Sequence, residues 1–157
     1  MFSIIAAVGK NRELGKNNQL IFRIKEDMDF FRDTTTGRTV VMGYNTWKSL
    51  PGKLKDRRNL VVSYDEVPEA DETITDLDAF IAEYQDSPEE IFIIGGGMIY
   101  KTFLPYARHL YLTEIDATDP SADTFFPDFD KSNYSREVIK KGKDHDLSYV
   151  FAKYTLN

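Results

Sequence analysis

Ile91-Phe92-Ile93-Ile94-Gly95-Gly96-Gly97-Met98-Ile99-Tyr100 decides how this chain is read. A run of apolar residues reads as a buried strand, three glycines end it, and Met98–Leu104 continues as a helix that stops at Pro105. Glycine lets the main chain bend sharply and lets a ligand come close to backbone N–H groups. The helix start that follows offers unpaired donors and a positive dipole end, which suits a pyrophosphate. The glycines are consecutive, not spaced as Gly-x-Gly-x-x-Gly, so the usual dinucleotide fingerprint does not apply. A tight strand-to-helix turn with no ligand accounts for the same residues. Val40-Val41-Met42-Gly43-Tyr44-Asn45-Thr46-Trp47 repeats the theme, with Asn45 or Thr46 as the cap of a short helix Thr46–Leu50. Two such corners in one open sheet can flank a dinucleotide at the strand ends, and two ordinary turns are the alternative.

Outward from these corners, apolar and β-branched runs recur at Phe2–Val8, Thr39–Gly43, Asn59–Ser63, Glu90–Ile94 and His109–Ile115. Helical patterns at Asp27–Asp33 and Asp76–Tyr84 separate some of them. The second opens at an N-cap Asp76 and carries Leu77, Phe80, Ile81 and Tyr84 on one face. This alternation predicts an α/β fold with a mostly parallel central sheet and flanking helices. Tyr134–Lys140 and Ser148–Leu156 read as strands around a polar turn, Lys141–Asp146, so a C-terminal antiparallel hairpin is expected on the sheet. No linker, repeat or composition break interrupts residues 1–157, and one domain is expected. Gly9–Arg23 shows little periodicity and reads as a long loop, a kind that usually serves function.

The chain has 157 residues, 41% hydrophobic and 29% charged, the profile of a soluble globular protein. A net charge of −6 argues against a nucleic-acid binder that works by neutralising phosphates, although Lys53, Lys55, Arg57 and Arg58 form a local basic patch. With no cysteine there is no disulfide or thiol chemistry, which fits a reducing compartment. Phe2–Val8 is too short to span a membrane and lacks the basic flank of a signal peptide. A cytoplasmic monomer is expected.

Asp27 lies in Lys25–Arg32, where helical spacing puts it on one face with Met28 and Phe31. A carboxylate aimed at apolar material needs a partner, and a ligand can supply one. The alternative places Asp27 in an exposed acidic first turn with Glu26 and Asp29. An arginine fork at Arg57 suits a carboxylate, against a solvated basic surface. Asp144-His145-Asp146 reads better as a polar turn than as a metal site, and no metal is expected. His109 shows no partner, and no Ser-His-Asp arrangement is visible.

Taken in order, the segments resemble the dihydrofolate reductase family. The pieces are Ile4-Ile5-Ala6-Ala7, Leu14-Gly15, Asp27 with Phe31, Val41-Met42-Gly43, Thr46-Trp47 and Arg57. Ile94-Gly95-Gly96-Gly97-Met98-Ile99-Tyr100, Tyr111-Leu112-Thr113 and Asp123-Thr124-Phe125-Phe126-Pro127 complete the set. Each piece is weak; the ordered set spans nearly the whole chain and is specific. The resemblance implies reduction of 7,8-dihydrofolate to tetrahydrofolate by NADPH. It implies that Asp27 pairs with the pterin, with Thr113 supporting it through a water, and favours protonation at N5. Ile5, Ala6, Met28, Phe31, Leu50, Leu54, Ile94 and Tyr100 would line the substrate pocket, and Arg57 would hold the glutamate carboxylate. Ala7, Leu14 and Gly15 would flank the nicotinamide. Gly43, Tyr44, Asn45, Thr46, Ser63, Ile94, Gly95, Gly96, Gly97, Met98, Ile99 and Tyr100 would bind the rest of the cofactor. A cis peptide between Gly95 and Gly96 is also implied.

Two departures stand out. Family members usually carry Pro-Trp in the loop before the first helix; here it is Ile21-Phe22, which keeps aromatic bulk but loses the indole donor. Phe22 is therefore a candidate catalytic-loop residue with an altered role in proton delivery. Tyr44 and Met98 stand where the family often has arginines for the 2′-phosphate, so weaker discrimination against NADH is expected. The competing readings are a pyrimidine reductase of riboflavin synthesis and a non-catalytic nucleotide-binding module of the same fold. Asp27 with Arg57 favours folate over the first, since a ribityl substrate has no tail carboxylate.

Overall fold

The computed structural model describes residues 1–17 and 19–157. The strands are β1 (Phe2–Val8), β2 (Glu13–Lys16), β3 (Gln19–Leu20), β4 (Thr39–Gly43), β5 (Arg58–Val62), β6 (Glu72–Ile74), β7 (Ile91–Ile93), β8 (Ala107–Ile115), β9 (Thr124–Phe125), β10 (Tyr134–Asp144) and β11 (Leu147–Leu156). The helices are α1 (Lys25–Thr35), α2 (Tyr44–Ser49), α3 (Leu77–Tyr84) and α4 (Gly97–Phe103). Eight strands form the central sheet in the order β10-β11-β8-β1-β7-β4-β5-β6. From β8 to β6 every neighbouring pair is parallel, and β10 and β11 add an antiparallel hairpin at one edge.

A parallel sheet needs cover on both faces, and alternate residues supply it. Ile4, Val41, Leu60 and Ile93 join Phe80, Ile81 and Phe103 beneath α3 and α4. Ile5, Val40, Met42, Val61 and Phe92 face the other way, against Phe30, Phe31, Trp47 and Leu50 of α1 and α2 or their ends. The predicted cap of α3 is present, with the Asp76 carboxylate accepting from the Ala79 N–H at 3.1 Å.

Four local expectations are corrected. Gly9–Arg23 is not a bare loop, because β2 and β3 pair with each other and β2 pairs with β9 in a small antiparallel sheet. β6 was not visible in the sequence. Neither Asn45 nor Thr46 caps α2, which starts at Tyr44 directly after Gly43 with no side-chain cap. The C-terminal turn is also tighter than Lys141–Asp146. β10 runs to Asp144, β11 starts at Leu147, and His145 takes the left-handed turn conformation at φ 54°. β10 is exposed along most of its length, so it carries no apolar pattern to mark where it ends.

Candidate active site

β4 and β7 are neighbours, so their glycine corners lie side by side at one end of the sheet. The Gly43 N–H donates to the Gly95 carbonyl at 2.8 Å and joins them. Gly95 takes φ +129°, and the Gly95–Gly96 peptide is cis, as the resemblance implies. A Cβ at Gly43 would come within 3.0 Å of Ile99 Cγ1, and one at Gly97 within 3.1 Å of the Thr124 methyl. Thr46 Oγ1 lies over Gly95 and Gly96, 3.5 and 3.4 Å from where their Cβ atoms would be. The starts of α2 and α4 are both without side-chain caps. Free donors and bare backbone thus stand together, a cradle that fits a pyrophosphate. Ile99 is buried beneath this corner, so only its main chain can meet a ligand there. Ala6 and Leu14 are likewise core side chains. Tyr44, Asn45 and Met98 are exposed around the corners, Ser63 is half-buried, and Lys48 Nζ lies 5.3 Å from the Tyr44 ring centre.

Asp27 is half-buried in the first turn of α1. Its Oδ1 accepts the Thr113 hydroxyl at 2.5 Å, and Thr113 on β8 is itself buried. The contact between the two side chains is direct. It fixes one carboxylate oxygen and leaves the other without a hydrogen-bond partner among the described residues. Burial pushes the Asp27 carboxyl above its usual range, and the Thr113 hydrogen bond opposes that shift. On the same helix Asp29 pairs with Lys25 at 2.9 Å and is held below the usual carboxylate range, so of these two carboxylates Asp27 is the desolvated one.

Tyr100 is buried behind this pair. Its hydroxyl donates to the Ile5 carbonyl at 2.8 Å, and burial, then the Asp27 charge, push its pKa up. It therefore stays neutral and holds α4 to β1. Ile5, Phe31, Leu50, Leu54 and Ile94 share one apolar cluster, which makes the wall expected of a ring-binding pocket. Met28 departs from that expectation: it is 52% exposed and joins none of the buried clusters. It stands on the rim of α1, where no facing element covers it. Phe22 and Ala7 pack together against the cluster of Ile24, Ile115, Tyr149 and Phe151.

The basic patch divides. Lys53 pairs with Asp71, Arg58 pairs with Glu72 at 2.7 Å, and Lys55 is exposed. Arg57 donates through Nε to the Lys55 carbonyl at 2.9 Å and through Nη1 to Thr35 Oγ1 at 3.2 Å. Its guanidinium carbon lies 5.9 Å from the Phe31 ring centre, and it makes no ion pair among the described residues. Sequence reasoning found Arg57 but not Thr35 and Lys55, which aim it.

The family profile described as "Dihydrofolate reductase" matches residues 1–156. This chain belongs to the dihydrofolate reductase family. A dihydrofolate reductase of Bacillus subtilis (strain 168) is 33% identical over 160 residues, covering 98% of this chain and 94% of that protein. One from Neisseria gonorrhoeae is 37% identical, covering 97% and 96%. A dihydrofolate reductase type 3 from Salmonella typhimurium is 42% identical over 82% of this chain and 80% of its own length. Among solved structures, a dihydrofolate reductase from Enterococcus faecalis, complexed with NADP(H) and RAB-propyl, superposes with a TM-score of 0.88 at 23% identity. It covers 100% of this chain and 96% of its own, and at that identity it speaks for the fold. The dihydrofolate reductase fold thus brings Asp27, Thr113, Phe31 and the two glycine corners to one end of one sheet.

Proposed function

We propose that this chain reduces 7,8-dihydrofolate to 5,6,7,8-tetrahydrofolate with NADPH, through the residues assembled above. The observation that carries the reading is the Asp27 carboxylate, half-buried, with one oxygen held by Thr113 and the other without a hydrogen-bond partner among the described residues. Asp27 accepts from the 2-amino and N3 side of the pterin and so supplies the charge that the bound ring pairs with. Its negative charge beside the ring favours protonation at N5. Ile5, Phe31, Leu50, Leu54 and Ile94 hold the ring system and exclude water, and Arg57 takes the carboxylate of the glutamate tail. Gly43 to Thr46 and Gly95 to Tyr100 seat the dinucleotide, with Ala7, Leu14 and Gly15 beside its nicotinamide end. When bound, the nicotinamide supplies a hydride to pterin C6, and the protein supplies position and electrostatics.

The whole chain acts as one domain; the single eight-stranded sheet and the profile match over residues 1–156 support this. It works as a cytoplasmic monomer. No helix among the described residues is long and apolar enough to cross a membrane, which accords with that compartment. The deciding experiment follows NADPH absorbance with purified chain and dihydrofolate. Rapid oxidation that needs both components is expected. Oxidation only with a ribosylamino-pyrimidine would move the chain to the riboflavin branch, and cofactor binding without oxidation would make it a binding module.

A further inference from the structure

Glu26 precedes Asp27 and Glu114 follows Thr113, and the C-terminal hairpin grips both glutamates. Glu26 Oε2 accepts from Lys140 Nζ at 2.5 Å and Oε1 from the Tyr149 hydroxyl at 2.7 Å. Glu114 accepts from Arg136 Nη2 at 2.5 Å and from the Tyr154 hydroxyl. Each carboxylate thus takes one cation from β10 and one tyrosine from β11. The two tyrosines lie five residues apart on a strand and so point to opposite faces. Tyr149 packs with Ile24 and Phe151 on the α1 side, and Tyr154 lies in the cluster beneath α3 and α4. Only the Glu26 clamp reaches the helix that carries Asp27.

We propose that Glu26 is a positioning residue for the known reaction: clamped by Tyr149 and Lys140, it fixes the first turn of α1 and thereby the aim of the Asp27 carboxylate. This rests on the reading of Asp27 as the partner of the substrate. Three observations carry it. The N-cap of α1 is Ile24, which offers no side-chain cap, so besides the Asp27–Thr113 contact the Glu26 clamp is the polar tie from the first turn to another element among the described residues. Gly142 lacks a Cβ where one would collide with both the Tyr149 ring and Glu26 Oε1, so the hairpin closes over this contact only because that position is bare. Tyr149 is 4% exposed, so packing holds its ring, and with it the aim of the hydroxyl, in one place. The hydrogen bond to Glu26, then burial, push Tyr149 up to about 12, so it remains a donor throughout the working range. The Lys140 arm is exposed, and an exposed ion pair contributes little alone. The tyrosine arm is therefore expected to dominate.

The test compares Glu26→Ala, Glu26→Gln, Tyr149→Phe and Glu114→Gln with wild type. The readouts are kcat and KM for dihydrofolate, Kd for NADPH, and the thermal midpoint. Glu26→Ala is expected to lower kcat/KM for dihydrofolate by roughly tenfold to a hundredfold, the penalty of a slightly misplaced reacting group. NADPH Kd should stay at the wild-type value, because the glycine corners sit on other elements. Tyr149→Phe should lose activity in the same direction. Glu26→Gln keeps an acceptor for Tyr149 and should lose less. Glu114→Gln keeps an acceptor for Tyr154 but loses the charge that pairs with Arg136 in the matching clamp on the far face; it should lower the thermal midpoint and leave kcat/KM in place. Wild-type kcat/KM in Glu26→Ala overturns the proposal, as does an equal loss in Glu114→Gln or a parallel loss of NADPH affinity. Should Glu26→Ala fail to fold, wild-type kcat/KM in both Glu26→Gln and Tyr149→Phe overturns it. A wild type that does not oxidise NADPH with dihydrofolate defeats the functional reading instead, so the two failures are distinct.

Discussion

At the scale of single residues, Asp27 works against the fold that holds it. Burial raises its pKa in the native state above the value of an unfolded chain. Such a group contributes stability that is full below the ordinary carboxylate range and is lost as pH rises through the raised value. At neutral pH the native state therefore carries a charge it would rather not have. Asp27→Asn removes that penalty and can still accept from Thr113. Its ligand-free form should melt above wild type at pH 7, and the two curves should converge in acid. The same variant should lose roughly 10²-fold or more in turnover at neutral pH, with partial recovery as pH falls. A melting series across pH and a rate profile check both halves. For Arg57, Lys55 and Thr35 hold two of the guanidinium donors and leave the rest for a ligand. Arg57→Leu should weaken dihydrofolate by about 2–5 kcal/mol if the pair is buried on binding. A pterin without the glutamate tail should be affected far less. Titrating both ligands into both proteins measures this, and equal losses would place Arg57 away from the tail.

At the scale of elements, β2 depends on a buried carboxylate that the sequence did not single out. Glu13 is 1% exposed, with Oε1 accepting from the Asn11 N–H at 2.8 Å and Oε2 from the Asp119 N–H at 2.6 Å. Burial pushes its pKa up, but the N–H groups of Asp119, Glu13 itself and Asn11 outweigh that and hold it below the usual range. Its contribution is present above the ordinary carboxylate range and lost as pH falls through the lowered value. Glu13→Gln turns one acceptor into a donor facing an N–H, and should cost about 1–3 kcal/mol in unfolding free energy, read by denaturant titration. At the start of α2, Tyr44→Arg should tighten NADPH and leave NADH nearly unchanged. A charge-assisted contact there contributes on the order of 1.5–3 kcal/mol. Paired Kd values at two salt concentrations check it, and a strong native preference for NADPH that the arginine does not improve would show that other groups already read the phosphate. The elements legible in sequence were those with continuous apolar runs: β1 and β4 match their expected bounds residue for residue. The two-residue β3 and β9 carry no period to detect, and the exposed β10 carries none that points inward.

At the scale of the whole molecule, the site was legible only where local pattern sufficed. The glycine corners and the carboxylate on α1 showed themselves in short windows. Thr113 and the role of Arg57 came through likeness to a family, and the ties that aim the site came from neither. Lys140 and Tyr149 meet Glu26 across 114 and 123 residues, and no window of sequence joins them. The strand order has a consequence of another kind. β1 is apolar but for Ser3, and among the described residues its neighbours in the sheet are β7 and β8. On the ribosome, Phe2–Val8 emerges before both of these partners and has no sheet neighbour until Ile91 and then Ala107 have been made. For most of synthesis the future centre of the molecule is a sticky thread awaiting its partners. Loop closure across so long a gap is slow. The nascent chain should therefore lean on holding factors most heavily between the appearance of α1 and the completion of β8, a window that ribosome-stalled chains of graded length can map.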